Sequence, residues 1–213
     1  MVAYANKIHS GVTYEKIQRV FESGVAFSVI VSVPFYTVYY LFMRVILDSV
    51  SVGFFNSGWS RIKTAFTVCN VGISAIDFIY FLLCMVLCVY SIVRLRKISG
   101  QLDKARDNYR RKSEFIVAYG AYGQVRHPMY GTLALLIAGL MMPFHNMMGI
   151  VITIAGVVTL YSGAIREEVK VLIPNFGKSY HKYRKIVKDW LFTGKQSVLL
   201  KAILAFSVVG LFC

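Results

Sequence analysis

Long uncharged runs separated by short charged ones dominate the chain, and this pattern predicts membrane-length helices. Residues 23–43 are 21 positions without a charge. As a helix they extend about 31 Å, close to the roughly 30 Å of a bilayer core. Pro34 lies inside this run, which a membrane helix tolerates because neighbouring helices re-satisfy the freed backbone groups. Residues 64–93 hold one charge, Asp77, which falls mid-span on this reading. Residues 128–165 hold none over 38 positions. A straight helix of that length, about 57 Å, is too long for one crossing, and Pro143-Phe144-His145-Asn146 predicts a break into a hairpin with halves near 128–142 and 147–165. Residues 196–213 are apolar apart from Lys201 and either span or lie at the surface. Residues 1–22 carry Lys7, Glu15, Lys16, Arg19 and Glu22. They lack an early apolar core and read as an amphipathic interfacial helix, not a secretory signal.

The expected fold is all-α: a polytopic membrane helical bundle with four to five transmembrane helices, including the helical hairpin, and cytosolic interfacial helices. A single integral membrane domain over 1–213 comprises the interfacial helix, two N-terminal spans within 23–93, a core over 94–195 and the C-terminal apolar segment.

Composition sharpens this picture. The chain is 57% hydrophobic and only 16% charged, against about 25% charged in soluble domains. So apolar a chain is not disordered. Four cysteines, with Cys69, Cys84 and Cys88 inside apolar runs, do not make a disulfide scaffold. The net charge is +14, and of 24 Lys and Arg residues nine lie in 94–127 and eight in 166–195. With the spans above, both basic segments and the N-terminus fall on one side, which the excess of Lys and Arg marks as cytoplasmic. The expected location is a multi-pass membrane protein with its site on the cytosolic side, in the plasma membrane of a prokaryote or the endoplasmic reticulum of a eukaryote. The basic excess orients the protein and grips anionic lipid of the bilayer. No nucleic-acid fold accompanies it, so no nucleic-acid partner is expected. The sequence says nothing of oligomeric state.

Two clusters carry candidate chemistry. In Gly120-Ala121-Tyr122-Gly123-Gln124-Val125-Arg126-His127-Pro128-Met129-Tyr130-Gly131 the glycines permit tight turns, and Pro128 suits the first turn of the following helix. Arg126 and His127 then sit just before a helix N-terminus, where a carboxylate or phosphate can dock; a basic interfacial loop with a Tyr anchor is the plainer alternative. In the second cluster, Glu167 and Glu168 follow directly on the apolar run, and Leu172, Phe176-Gly177, Tyr180 and Tyr183 come after. Carboxylates beside aromatic rings suit a bound cation, and helical spacing places Phe176, Tyr180 and Tyr183 on one face. An aromatic belt on an interfacial helix is the plainer alternative here. Asp77 is a functional suspect if truly mid-span, or else a structural partner of Arg44 or a neighbouring helix. His9, His127 and His181 lack zinc-ligand spacing and there is no Cys-x-x-Cys, so no metal is expected. No Gly-rich phosphate loop is present.

These two clusters resemble a known family. Gly120-Ala121-Tyr122 with Arg126-His127-Pro128-Met129-Tyr130-Gly131 resembles the Gly-Pro-Tyr and Arg-His-Pro-x-Tyr-x-Gly signature of integral-membrane methyltransferases, a group that includes isoprenylcysteine carboxyl methyltransferases and phospholipid N-methyltransferases. Glu167-Glu168, Leu172, Phe176-Gly177, Tyr180 and Tyr183 resemble its downstream pattern. The resemblance covers roughly residues 114–190, with the hairpin between the motifs. It implies methyl transfer from S-adenosyl-L-methionine to a hydrophobic, lipid-like acceptor. Carried over, Glu114, Phe115, Ile116 and Val117 line the adenosyl site with Tyr122. His127, Pro128, Met129 and Tyr130 hold the amino-acid end, and Glu168 with Glu167 contacts the cofactor from the other side. Arg126, His127, Tyr130 and Glu167 form the candidate catalytic set, the last three being possible bases for an amine acceptor. Ala121 stands where the family has Pro. Ala164 stands where prenylcysteine enzymes carry an acceptor-binding Arg, which opens the acceptor to an amine, a thiol or another head group. Two other readings stay open: an NADPH-dependent membrane sterol-type reductase, which shares an Arg-His-Pro-x-Tyr stretch, and a non-catalytic lipid-binding or scaffold protein.

Overall fold

The structure is a computed structural model and describes residues 30–43, 46, 66–68, 71–109, 116–144 and 147–212. The expected interfacial helix over 1–22 lies outside the described residues, as do Glu114, Phe115 and His145. Helix α1 covers Ile30–Met43. Strands β1 (Phe66–Val68) and β2 (Val71–Ile73) pair antiparallel, with Phe66 opposite Ile73. Helices α2 (Ala75–Tyr109), α3 (Pro128–Met141) and α4 (Met147–Glu167) follow. A π-helical turn over Glu168–Leu172 leads straight into α5 (Ile173–Ile186), and α6 is Gly194–Phe212.

Apart from the small strand pair, Ser74 and the connecting segments over 116–119, 124–127 and 187–193, the described residues are helical, as expected. Two helices, Ala75–Ala105 and Met147–Ile186, are long and apolar enough to cross a membrane; Ile30–Met43 and Pro128–Phe144 are apolar but shorter. The hairpin over 128–165 forms where anticipated, with Pro143 and Phe144 in a short 3₁₀ turn.

The expected span over 64–93 needs correction. Within its first ten positions residues 66–68 and 71–73 form the strand pair, and the helix begins only at Ala75. Asp77 is therefore not mid-span. It lies in the first turn of α2 and closes a reciprocal cap. The Ser74 N–H and Oγ–H both donate to Asp77 Oδ2 (3.1 and 2.9 Å), and the Asp77 N–H donates to Ser74 Oγ (3.1 Å). Two backbone donors that the helix itself cannot satisfy are thus paired, and the carboxylate meets the positive end of the helix dipole. Thr193 and Gln196 build the same device at the start of α6.

The core forms where α2 and α3 approach closely. Leu135, Ala138 and Gly139 of α3 lie against Cys84 and Cys88 of α2, all buried. Small residues at the crossing allow this proximity. Helix α1 docks on the end of α3 through its tyrosines. Tyr36 Oη donates to the Gly139 carbonyl (2.7 Å) and Tyr39 Oη to the Leu140 carbonyl (3.3 Å), both in the last turn, where carbonyls lack helical partners. Tyr40 stacks between Phe81 and Phe144 in the same cluster. Helix α6 is fastened to α2 by Tyr80, whose hydroxyl donates to the Ile203 carbonyl (3.0 Å) and lies 2.7 Å from Ser207 Oγ.

This packing predicts opposite effects for two glycines of comparable helical setting. A Cβ at Gly139 would stand 2.7 Å from Cys88 Sγ and 3.1 Å from the Cys84 carbonyl oxygen, whereas one at Gly100 meets nothing within 4 Å. Gly139→Ala should destabilise by about 1–3 kcal/mol and Gly100→Ala should stabilise by up to about 1 kcal/mol. Detergent melting curves check both signs.

Candidate functional site

Helix α2 runs well past its apolar part. Leu95, Ser99, Leu102 and Asp103, at helical spacing on one face, form one wall of a cavity of about 800 Å³. The segment over 116–127 closes a second side. It turns at Gly120, where φ is +62° and a side chain would collide with Gln101; the Gln101 side chain accepts the Ala121 N–H instead (3.2 Å). Only a residue free of Cβ adopts such a turn at little cost. Ile116, Val117 and Tyr122 face the cavity from this segment.

The chain then enters α3 at Pro128, the first helical position, where a missing N–H costs nothing. Arg126 and His127 donate their backbone N–H groups to the Asp189 and Trp190 carbonyls, each at 2.9 Å. This pairing lays the segment after α5 directly across the start of α3. Gly131 is required there, because any Cβ would collide with the Leu191 carbonyl. The side chains of Arg126, His127, Pro128, Met129, Tyr130 and Leu133 line the cavity, and Glu167 joins them from the end of α4. Leu172, Phe176, Tyr180 and Tyr183 complete the wall. Tyr183 Oη donates to the Tyr122 carbonyl (2.7 Å) and joins α5 to the 120–123 turn.

The structure parts the two neighbouring glutamates. Successive helical residues point about 100° apart, so only one can face the cavity. That one is Glu167, with its side chain 39% exposed and its Oε2 3.7 Å from His127 Nδ1. It stands two residues beyond the uncharged stretch, beside the His127 ring. Glu168 is buried and does not line the cavity. Its Oε1 pairs with Arg126 Nη1 (3.1 Å) and Arg184 Nε (3.0 Å). The Arg126 guanidinium also lies 4.3 Å over the Trp190 ring and donates to the Lys188 carbonyl (3.4 Å). Arg126 is thus committed to structure, although it borders the cavity.

Of the residues anticipated from sequence, Ile116, Val117, Tyr122, Arg126, His127, Pro128, Met129, Tyr130 and Glu167 meet around one space. Sequence reasoning missed Leu95, Ser99, Leu102 and Asp103 because the segment from residue 94 was read for its positive charge alone; their helical spacing was the available signal. It also missed Arg184 and Trp190, which have no local signature. No group of three or more potential metal ligands occurs among the described residues.

The charge of the cavity opposes that of the chain. In a protein of net charge +14, the Asp, Glu, Lys and Arg residues on its walls, among the described residues, are Asp103, Glu167 and an Arg126 already paired to Glu168. Around them stand the rings of Tyr122, Tyr130, Phe176, Tyr180 and Tyr183. Carboxylates and aromatic faces together suit an organic cation. Compared with known proteins, the chain matches no protein-family model, no curated protein and no solved structure.

The buried Glu168 is expected to carry more stability than its half-exposed partner. Glu168→Gln leaves the partly buried Arg126 without its counter-charge and should cost about 2–3 kcal/mol. Arg184→Gln, at a side chain 38% exposed, should cost under about 1 kcal/mol. Thermal unfolding of the two variants in one detergent checks the ranking.

Proposed function

We propose that the chain is an S-adenosyl-L-methionine-dependent integral-membrane methyltransferase that acts on a lipid-like acceptor at the cytosolic membrane interface. The observation that carries this reading is the cavity: acidic and aromatic, in a strongly basic chain, next to the apolar helices. A sulfonium cofactor is an organic cation, and the donor set fits it. The volume, about 800 Å³, lies in the upper part of the roughly 300–1,000 Å³ range of small-molecule sites. It leaves room for an acceptor head group beside the cofactor.

In this proposal α1, α2, the α3–α4 hairpin and α6 cross the bilayer, and the basic segments lie on the cytosolic side. The cavity then sits where the apolar part of α2 gives way to Arg94, Arg96 and Lys97. A water-borne cofactor and a bilayer-borne acceptor meet there without either leaving its own phase. Ile116, Val117 and Tyr122 would hold the adenosyl part, and His127, Pro128, Met129 and Tyr130 the amino-acid end. When bound, the cofactor supplies an activated methyl group on a positively charged sulfur. Asp103, Glu167 and the rings favour that charge, and the wall formed by α5 keeps water away. Rigid placement of the two reactants is worth about 7–11 kcal/mol of the barrier.

An NADPH-dependent reductase fits the cavity less well. Its cofactor is polyanionic, and the one guanidinium among the described residues that line the cavity is tied to Glu168.

Ligand-induced stabilisation tests the reading. S-adenosylhomocysteine at 100 times its dissociation constant should add about 2.7 kcal/mol of apparent stability, and Asp103→Asn should weaken this binding. NADPH should add nothing. Stabilisation by NADPH alone, or by neither compound, refutes the proposal. A radiolabelled methyl-transfer assay on total membrane lipids then identifies the product.

A further inference from the structure

We infer that His127, oriented by Glu167, takes a proton from the methyl acceptor. The acceptor then belongs to the class of long-chain nucleophiles that must lose a proton, an amine or a thiol, and not to the carboxylates. This rests on the methyl-transfer reading and deepens it.

An imidazole carries distinct groups on its two nitrogens, and the partner of one decides the state of the other. His127 Nδ1 faces Glu167 Oε2 at 3.7 Å. A carboxylate there favours a proton on Nδ1, which leaves a lone pair on Nε2. The ring borders the cavity. Its side chain is 3% exposed, and Nε2 has no hydrogen-bond partner among the described residues. A buried polar atom left unpaired carries a desolvation cost, and a proton from a ligand in the adjoining space removes it.

The competing role for His127 is to anchor an anionic group through Nε2–H. That role needs either the other tautomer, which turns a bare Nδ1 lone pair towards a carboxylate, or a doubly protonated ring. Trp190 and Tyr130 present rings to His127 (5.4 and 6.0 Å between centroids). Arg126 beside it is balanced by Glu168, which Arg184 also contacts. From α2, Asp103 borders the same cavity. During proton transfer the adjacent Glu167 stabilises the positive ring as it forms.

The balance of the step is complete. The acceptor's nitrogen or sulfur lone pair forms the bond to the methyl carbon. The carbon–sulfur bond of the sulfonium breaks, and its electron pair stays on sulfur as a neutral thioether. The displaced N–H or S–H proton passes to His127 Nε2 and then to water. A carboxylate acceptor needs no base. Among the described residues that line the cavity it also finds no free cation, since Ala164 is buried in α4 and Arg126 is paired.

The test uses the full chain purified in detergent micelles. With four histidines in the chain, nitrogen-15 spectra of histidine-labelled protein, compared with His127→Gln, identify the ring. The Nδ1–H tautomer is expected, and a proton on Nε2 overturns the inference. Turnover is then measured with labelled methyl donor on dodecylamine, dodecanethiol and N-acetyl-S-farnesylcysteine. The amine or thiol should be methylated in preference to the carboxylate. His127→Gln should lower that rate by about 10²–10⁴. Glu167→Gln should lower the Nδ1–H population of the ring in the nitrogen-15 spectra, an effect that a merely structural role does not produce. Preference for the carboxylate, or unchanged methylation of the amine and the thiol by His127→Gln, overturns the assignment. The tautomer and the acceptor preference of the unaltered chain need neither variant. Failure of the unaltered chain to bind S-adenosylhomocysteine is a different result and refutes the methyl-transfer reading itself.

Discussion

The candidate site depends on one buried carboxylate. Glu168 receives Arg126, 42 positions before it, and Arg184 from the far end of α5. It thereby joins the loop before α3, the π turn after α4 and the helix that closes over the cavity. Burying a carboxylate is costly unless it is paired and hydrogen-bonded, so the three segments are stable together and poorly stable apart. The π turn belongs to this solution. An extra residue in the turn alters the helical register after Glu168, and Gly177, at φ +46°, bends the chain again inside α5. Leu172, Phe176, Tyr180 and Tyr183 reach the cavity from the far side of the turn while the carboxylate stays beneath it.

The same ion pair sets the electrostatics of the space above it. Because Glu168 holds Arg126, the guanidinium at the edge of the cavity is fixed in place, although Glu168 is shared with Arg184 and the three groups together keep one positive charge. Among the described lining residues, Asp103 and Glu167 supply the negative charge. The backbone pairing of 126–127 with 189–190 works alongside, since it brings Trp190 against both Arg126 and His127. Gly131 is the small residue that lets this crossing happen.

Much of this was legible in the sequence, and the remainder was hidden for physical reasons. Loss of charge over 128–165 and the break at Pro143 are local signals, and the hairpin followed them. Convergence of the His127 and Glu167 clusters was also readable, since one hairpin brings its two ends together. Apolarity alone misplaced the start of α2, because a short strand pair and a helix can be equally apolar. Ser74-x-x-Asp77 was the better guide, as Thr193-x-x-Gln196 was for α6. Two carboxylates in tandem suggested a shared role, but a helix must turn them to different surroundings. The contact of Leu191 with Gly131 leaves no mark near either residue, and no local pattern could have found it.

In the proposed reaction, a site that favours a cation does not by that alone accelerate anything. Interactions equal in the ground and transition states strengthen binding and leave the chemical step unchanged. The rate must come from orientation, from exclusion of water and from removal of the acceptor's proton. Here the placement of the two open carboxylates matters. Asp103 stands on α2 and Glu167 beyond the end of α4, so the walls do not concentrate negative charge at one point. Positive charge that leaves sulfur and builds on an accepting nitrogen keeps a carboxylate or a ring face near it at both ends of its path. Glu167 is the one of the pair in contact with the imidazole. Once the methyl has moved, the thioether left behind is neutral and lacks the charge that the cavity favours, so the interactions that gathered the cofactor no longer hold what remains of it.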